Sequence, residues 1–340
     1  MSHTQTRLIL LPFISILLSA CTGVDKKPQI KPVIISQKEK QTGGKVYKLF
    51  EKHYGFYDKP ELESYIKSMV LNVLSHTPAR NAAITFRILD TSLVNARATP
   101  GGYIYVTKGL LALANNESQV ASIIAHEIAH VVAGHTKKKY EQKEKILKIS
   151  RNINRNINTN MAKQVTTLFS KVIIKGNQRR NELEADRLAL HYISKTRYST
   201  SSMLNMLELL KKFSAYSNSF QTESGYTENS ILSTHPSIDR RITELKKNYK
   251  KNNYSRTITS NSVIDKRYLD KINGLVIGKI NNRKVVLGLK HFPDYNRYIR
   301  EVKNYSNGDR ILAEYIRVLN NIPANRQNNS PLLIKWLERK

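Results

Sequence analysis

Cysteine occurs once in the 340 residues, at Cys21, and tryptophan once. One cysteine excludes an intramolecular disulfide. Acidic residues are scarce as well: 26 Asp and Glu stand against 56 Lys and Arg, a formal charge of +30. Such an excess suits nucleic acid, an anionic membrane surface or simply a Lys-rich composition. No nucleic-acid motif is present and the basic residues are spread along the whole chain, which favours the last two and argues against nucleic acid as a partner. Long apolar runs are missing except near the start, which excludes a multi-pass membrane enzyme. With 10 prolines and 40% hydrophobic residues the composition is that of a folded, helix-rich protein. The length leaves room for one large domain, or a medium domain with an appendage.

The early apolar run, Leu8 to Ala20, follows Arg7 and is too short to span a bilayer comfortably. A basic residue, a short apolar core and small residues at the end describe an export signal. It ends Leu18-Ser19-Ala20-Cys21, which resembles the lipobox of bacterial lipoproteins, where cleavage precedes a cysteine that becomes acylated. Residues 1–20 are therefore expected to be a signal peptide and Cys21 the lipidation site. Thr22 in place of Asp resembles the sorting pattern of outer-membrane lipoproteins. Residues 21–45, polar and holding Pro28, Pro32, Gly43 and Gly44, are expected to form a flexible tether.

What is present in strength is His126-Glu127-Ile128-Ala129-His130, an HExxH sequence inside an apolar, helix-forming run. Residues four apart share a helix face, so His126 and His130 can aim two imidazoles at one metal ion. Glu127 lies one step round, placed to take a proton from water at that metal. Asn116 is an N-cap candidate, with Gln119 as its capping-box partner. Zinc is the expected cofactor, one ion per chain.

Asp58 with Glu61 marks the start of an amphipathic helix carrying Leu62, Tyr65, Ile66, Met69, Val70, Val73 and Leu74. Ile84, Phe86 and Ile88 alternate as a strand does. From Asn95 the chain runs to a Pro100-Gly101-Gly102 turn and a Tyr103-Ile104-Tyr105-Val106 strand. This strand is expected to border the cleft. If its edge is open it can pair with an extended peptide, making Asn95, Gly101, Gly102 and Tyr103 substrate-binding candidates; a core strand with a tight turn fits the same residues. Lys137 to Lys175 is a long basic segment read as one or more helices.

A two-histidine zinc site needs a third protein ligand and an open position. The helix that begins around Arg179 carries Glu182 and Asp186 on one face. Glu182 can be the ligand, and Asp186 can accept a hydrogen bond from the free ring nitrogen of a ligand histidine. Glu184 is expected to be a surface charge. His135 follows the motif, but the metzincin pattern requires Gly and His where Ala133 and Thr136 stand, so His135 reads as structural.

Four blocks together resemble the zinc peptidase family that includes the CAAX prenyl protease and the HtpX heat-shock protease, most of all its bacterial envelope lipoproteins of the BepA and LoiP type. They are Asn95-Ala96 with Pro100 to Tyr103, His126 to His130, Arg179 with Glu182, Ala185 and Asp186, and Ser233-Thr234-His235-Pro236 with Arg241-Ile242. The resemblance implies His126, His130 and Glu182 as ligands and Glu127 as the base. It also brings His235, with Arg241, near the metal on a loop, where His235 either stabilises an oxyanion or fills the open zinc position in a latent state. Neither a helical repeat array after residue 250 nor HtpX-type spans are present.

The expected architecture is α+β and mainly helical: a gluzincin-type zinc peptidase domain over 46–250 and a small mixed C-terminal region over 258–340. The expected function is a zinc metalloendopeptidase of the bacterial envelope. It would be lipid-anchored at the periplasmic face of the outer membrane and act on unfolded or misassembled envelope polypeptides, with outer-membrane assembly machinery as a partner. A latent or non-proteolytic chaperone lipoprotein using the same cleft is the alternative.

Overall fold

The computed structural model describes residues 32–156, 178–218, 231–252, 254, 265–280, 283–307, 310–321 and 331–339. Residues 33–340 make one compact unit. Cys21 and the expected signal peptide lie outside the described residues, as does the second half of the long basic segment. Among the described residues no helix is long and apolar enough to cross a membrane.

The expected tether ends early. Ser36 accepts a hydrogen bond from the Glu39 N–H and Glu39 returns one from the Ser36 N–H, a reciprocal cap that starts helix α1, Gln37–Tyr54. Gly43 is not a flexible link: a Cβ there would lie 1.9 Å from the Pro100 carbonyl oxygen, so the glycine lets α1 lie directly on the turn after Thr99. Helix α2, Pro60–Leu74, starts with Pro60 in its first turn rather than on an Asp58 cap. It buries Leu62, Ile66, Met69, Val70, Val73 and Leu74.

Strands β1 (Thr85–Leu89), β2 (Ala96–Thr99) and β3 (Tyr103–Thr107) form a sheet in the order β1-β3-β2, with β3 parallel to β1 and antiparallel to β2. The strand expected at the cleft, β3, is thus the central one, with Ile104, Tyr105 and Val106 buried. β2 is an edge strand, as is β1, and its small side chains Ala96 and Ala98 let helix α4 pack against it.

Helix α3 (Lys108–Leu113) leads into α4 (Glu117–Val132), the helix that carries HExxH. Asn116 caps α4 by accepting from the Gln119 N–H; the Gln119 side chain reaches back one residue further than expected, to the Asn115 N–H. Ala121, Ile124, Ala125, Ile128 and Ala129 have no exposed surface. Each buried isoleucine contributes roughly 1.5–3 kcal/mol, so α4 is held on all sides. Helices α5 (His135–Asn156), α6 (178–193), α7 (Ser201–Asn218), the short α8 (Ile231–Thr234) and α9 (Ile238–Lys251) follow.

The C-terminal region is no separate appendage. Helices α10 (Lys266–Ile272), α11 (Tyr295–Ser306) and α12 (Arg310–Leu319) accompany an antiparallel sheet β4-β5-β6 of Val276–Ile280, Arg283–Phe292 and Leu332–Arg339. Its residues Tyr268, Leu269, Leu287 and Ile334 share one apolar core with Ile124 and Ile128. Donors from this region serve five consecutive carbonyls between α3 and α4. The Tyr268 hydroxyl donates to Leu111, buried Lys335 Nζ donates to Ala112, Leu113 and Ala114 at 2.8, 2.8 and 3.1 Å, and the Asp265 N–H donates to Asn115. Three acceptors match the three donors of an ammonium, which offsets the burial that pushes the Lys335 amine well below its usual pKa.

Candidate active site

Four elements converge on one buried point. Helix α4 presents His126 and His130 on one face, α6 presents Glu182 and Asp186, the bend between α8 and α9 brings in His235, and α9 supplies Arg241. All six are nearly fully buried. One ligating atom each from His126, His130, Glu182 and His235 lies within 4.8 Å of the others.

The donor set fits a metal ion. His126 Nε2 is 3.1 Å from His130 Nε2 and 3.3 Å from Glu182 Oε2, and His130 Nε2 is 3.5 Å from Glu182 Oε1. Ligands held at about 2.0–2.2 Å on the corners of a tetrahedron stand about 3.3 Å apart, so the spacing suits a tetrahedral metal ion. The opposite ring nitrogens are spoken for. His126 Nδ1 lies 2.9 Å from Asp186 Oδ1, so its N–H donates there and Nε2 is left for the metal. His130 Nδ1 is 3.0 Å from His135 Nδ1, and His135 Nε2 is 3.3 Å from Glu184 Oε2. With neutral rings one proton arrangement serves all three groups: His130 donates to His135 and His135 donates to Glu184.

His135 and Glu184, read from sequence as structural and as a surface charge, therefore form a relay behind a ligand. The signal was slight. Gly134, at φ +68°, turns the chain so that α5 begins directly under His130.

Charge is balanced tightly. Burial opposes ionisation of Glu182, yet His235 and hydrogen bonds from His126 and His130 hold its carboxyl well below the usual range. Asp186, buried against Arg241, is held at about 2. Burial and Arg241 press His126 down, but Asp186 and Glu182 outweigh them and raise it to about 9 in the metal-free protein. Burial lowers His130 to about 4.

Glu127 takes the Ala98 N–H on Oε2 at 2.6 Å. Its other oxygen, Oε1, is buried and accepts no hydrogen bond among the described residues; His235 Nε2 stands 3.4 Å from it. The cleft outside, about 410 Å³, is lined by Arg97, Ala98, Glu127, His130, Glu182 and His235 among others.

Several expected site residues are elsewhere. Arg241 is not among the residues lining the cleft: its guanidinium is taken up by both oxygens of Asp186 and reaches Glu182 at 3.3 Å. Gly101 and Gly102, at φ +85° and +79°, form the turn under α1, and Tyr103 rings with Tyr47 and Tyr105 on that side of the sheet. Both glycines sit where a positive φ is required, and Gly101 lies against the α1 backbone at Glu39 and Lys40. Asn95 lies beside Thr234 at the start of the edge strand and lines a smaller neighbouring cavity. The residues that do border the cleft from β2 are Arg97 and Ala98.

Residues 58–249 match the family model described as Peptidase family M48. Over 195 residues the chain is 27% identical to the beta-barrel assembly-enhancing protease of Escherichia coli (strain K12), covering 54% of this chain and 38% of that protein. Over 164 residues it is 25% identical to the mitochondrial metalloendopeptidase OMA1 of Saccharomyces cerevisiae, covering 46% of this chain and 44% of the relative. The chain thus spans well under two thirds of these relatives' length. With more than half of its length inside the family model, and the buried histidine–glutamate cluster lying within that stretch, the chain belongs to peptidase family M48.

Proposed function

We propose that this protein is a zinc metalloendopeptidase that hydrolyses peptide bonds of unfolded or misassembled bacterial envelope proteins. The observation that carries the reading is the placement of Glu127. One of its oxygens is anchored on the outward N–H of the edge strand and the other is free beside the His126–His130–Glu182 cluster.

His126, His130 and Glu182 hold the zinc, and Asp186 and His135 fix the two histidines in the tautomers that present Nε2. A zinc ion there supplies Lewis acidity toward water and toward a carbonyl. Glu127 accepts the proton of the attacking water at Oε1 and passes it to the leaving amine. The edge of β2 takes an extended backbone by main-chain hydrogen bonds, which favours unfolded chains over folded ones. An export signal and acylation at Cys21 would place the enzyme on the periplasmic face of the outer membrane. The Escherichia coli relative, a beta-barrel assembly-enhancing protease, makes outer-membrane assembly machinery the partner to test.

A second reading is favoured by His235. Its Nδ1 lies 3.0 Å from Glu182 and 3.3 Å from His126 Nε2, inside the ligand cluster, so it can serve as a fourth ligand and keep the site latent, as a chaperone-like lipoprotein would. Metal content and casein cleavage, compared between the chain from residue 22 and its Glu127→Gln variant, separate the two. One zinc in both with cleavage only in the parent establishes the peptidase. Zinc in both with cleavage in neither, restored by His235→Ala, establishes the latent form. Absence of zinc overturns the ligand assignment.

A further inference from the structure

The wall of the cleft opposite the metal ligands is cationic. Arg97 stands on β2 one residue before Ala98, and Lys139 and Lys143 stand one turn apart on α5; all three line the same cleft as Glu127. Two neighbouring charges are paired, Lys137 with Glu39 and Glu144 with Lys38. Arg97, Lys139 and Lys143 have no carboxylate within ion-pairing distance among the described residues. The cleft's own carboxylates, Glu127 and Glu182, face histidines instead. Partial burial and the charge of Arg97 push the Lys139 amine below its usual pKa, so the like charges repel across the wall.

The strand geometry aims this wall at one place on a bound peptide. Asn95 accepts from the Thr107 N–H on the β3 side, so the alternation of an antiparallel ladder turns Ala96 and Ala98 outward, as the Ala98 N–H on Glu127 shows. A peptide on that edge can take the outward Ala98 carbonyl, the Ala98 N–H staying on Glu127, with its reacting bond at that carboxylate. Its neighbouring residue then stands opposite Arg97, on the same face, with Cβ atoms about 5 Å apart. We propose that Arg97, Lys139 and Lys143 form a carboxylate subsite selecting extended peptides that carry a negative charge within two residues of the bond held at Glu127. The carboxylate can come from an Asp or Glu side chain or from the free C-terminus of the substrate. This deepens the peptidase reading by naming the charge class of its substrate.

Binding tests the proposal apart from cleavage. The zinc-loaded Glu127→Gln protein is titrated with fluorescent dodecapeptides of one neutral sequence, blocked at both ends, holding a single Glu, Gln or Lys at each position in turn. A further peptide has a free carboxyl end. The Glu peptides are expected to bind about tenfold tighter than the Gln peptides at one or two adjacent positions, with the gap shrinking to about twofold at 0.5 M salt. A preference confined to the free-ended peptide would assign the subsite to chain ends. The variant Lys139→Glu/Lys143→Glu, read as its own Glu-to-Lys affinity ratio, is expected to reverse the order. Equal binding of Glu, Gln and Lys peptides, no peptide binding at all, or an unaltered ratio in the double variant would overturn the subsite. The same peptides are then offered to the parent enzyme. Cleavage without charge preference leaves the peptidase standing and the subsite refuted, whereas charge-selective binding without cleavage refutes only the peptidase.

Discussion

Arg241 grips Asp186 through two parallel hydrogen bonds of 2.7 Å, Nε to one carboxylate oxygen and Nη2 to the other, with both groups out of water. The pair locks α9 to α6 and leaves Asp186 facing the Nδ1–H of His126. Breaking such a buried pair by removing one partner costs about 3–5 kcal/mol. Arg241→Met is therefore expected to lower the urea midpoint strongly. Asp186→Asn keeps the shape but weakens the acceptor, and its main effect is expected in zinc affinity, a loss of about 10–100-fold measured by chelator competition.

The relay behind His130 gives a second expectation. His135→Phe removes the acceptor for His130 Nδ1–H, and zinc affinity is expected to fall about 10–100-fold with the fold intact by circular dichroism. Glu184→Gln, half exposed and one step further out, should cost less. Unchanged affinity in His135→Phe would show that the contact is packing alone.

Metal and protons compete at His126. In the metal-free protein its pKa is raised to about 9, above the unfolded 6.5, so this group's stabilisation is full below 6.5 and is lost as pH rises through 9. Zinc needs Nε2 without its proton, so metal binding strengthens as pH rises over the same interval. The difference in Tm between zinc-loaded and metal-free protein is expected to widen from pH 6.5 to 9. A constant difference would show that zinc does not displace this proton.

Two adjacent glycines should behave oppositely. A Cβ at Gly43 meets the Pro100 oxygen and the Tyr103 ring, so Gly43→Ala is expected to cost about 1–3 kcal/mol through overpacking. A Cβ at Gly44 approaches nothing nearer than 3.8 Å, and Gly44→Ala in mid-helix is expected to stabilise by about 0.4–1 kcal/mol. Urea melts of both variants check the pair, and equal effects would refute the seating of α1.

Lys335 offers a test of how the C-terminal region supports the zinc helix. Lys335→Met keeps much of the volume but strips three carbonyls of their donor, each unsatisfied group costing about 1–3 kcal/mol. Marked destabilisation is expected, with loss of zinc following global unfolding. A variant as stable as the parent would mean that water replaces the ammonium.

Sequence alone determined the helix that carries HExxH, because helical spacing, an Asn cap and an apolar surround are local properties that survive without a partner. It also brought Glu182 and Asp186 to the same helix face, again by local periodicity. What joins distant segments was decided only by tertiary structure. The open edge passed from β3 to β2 because strand order depends on which faces the helices cover, and no residue of Tyr103-Ile104-Tyr105-Val106 encodes that. Arg241 pairs with Asp186 and is not among the cleft-lining residues because α9 crosses α6 there. Gly43 and Gly101, legible in sequence only as turn or linker residues, mark the close approach of α1 to a turn some sixty residues away. The fusion of the C-terminal region into the core joins a shared apolar cluster to a lysine reaching carbonyls more than two hundred residues earlier, contacts to which periodicity and propensity are blind.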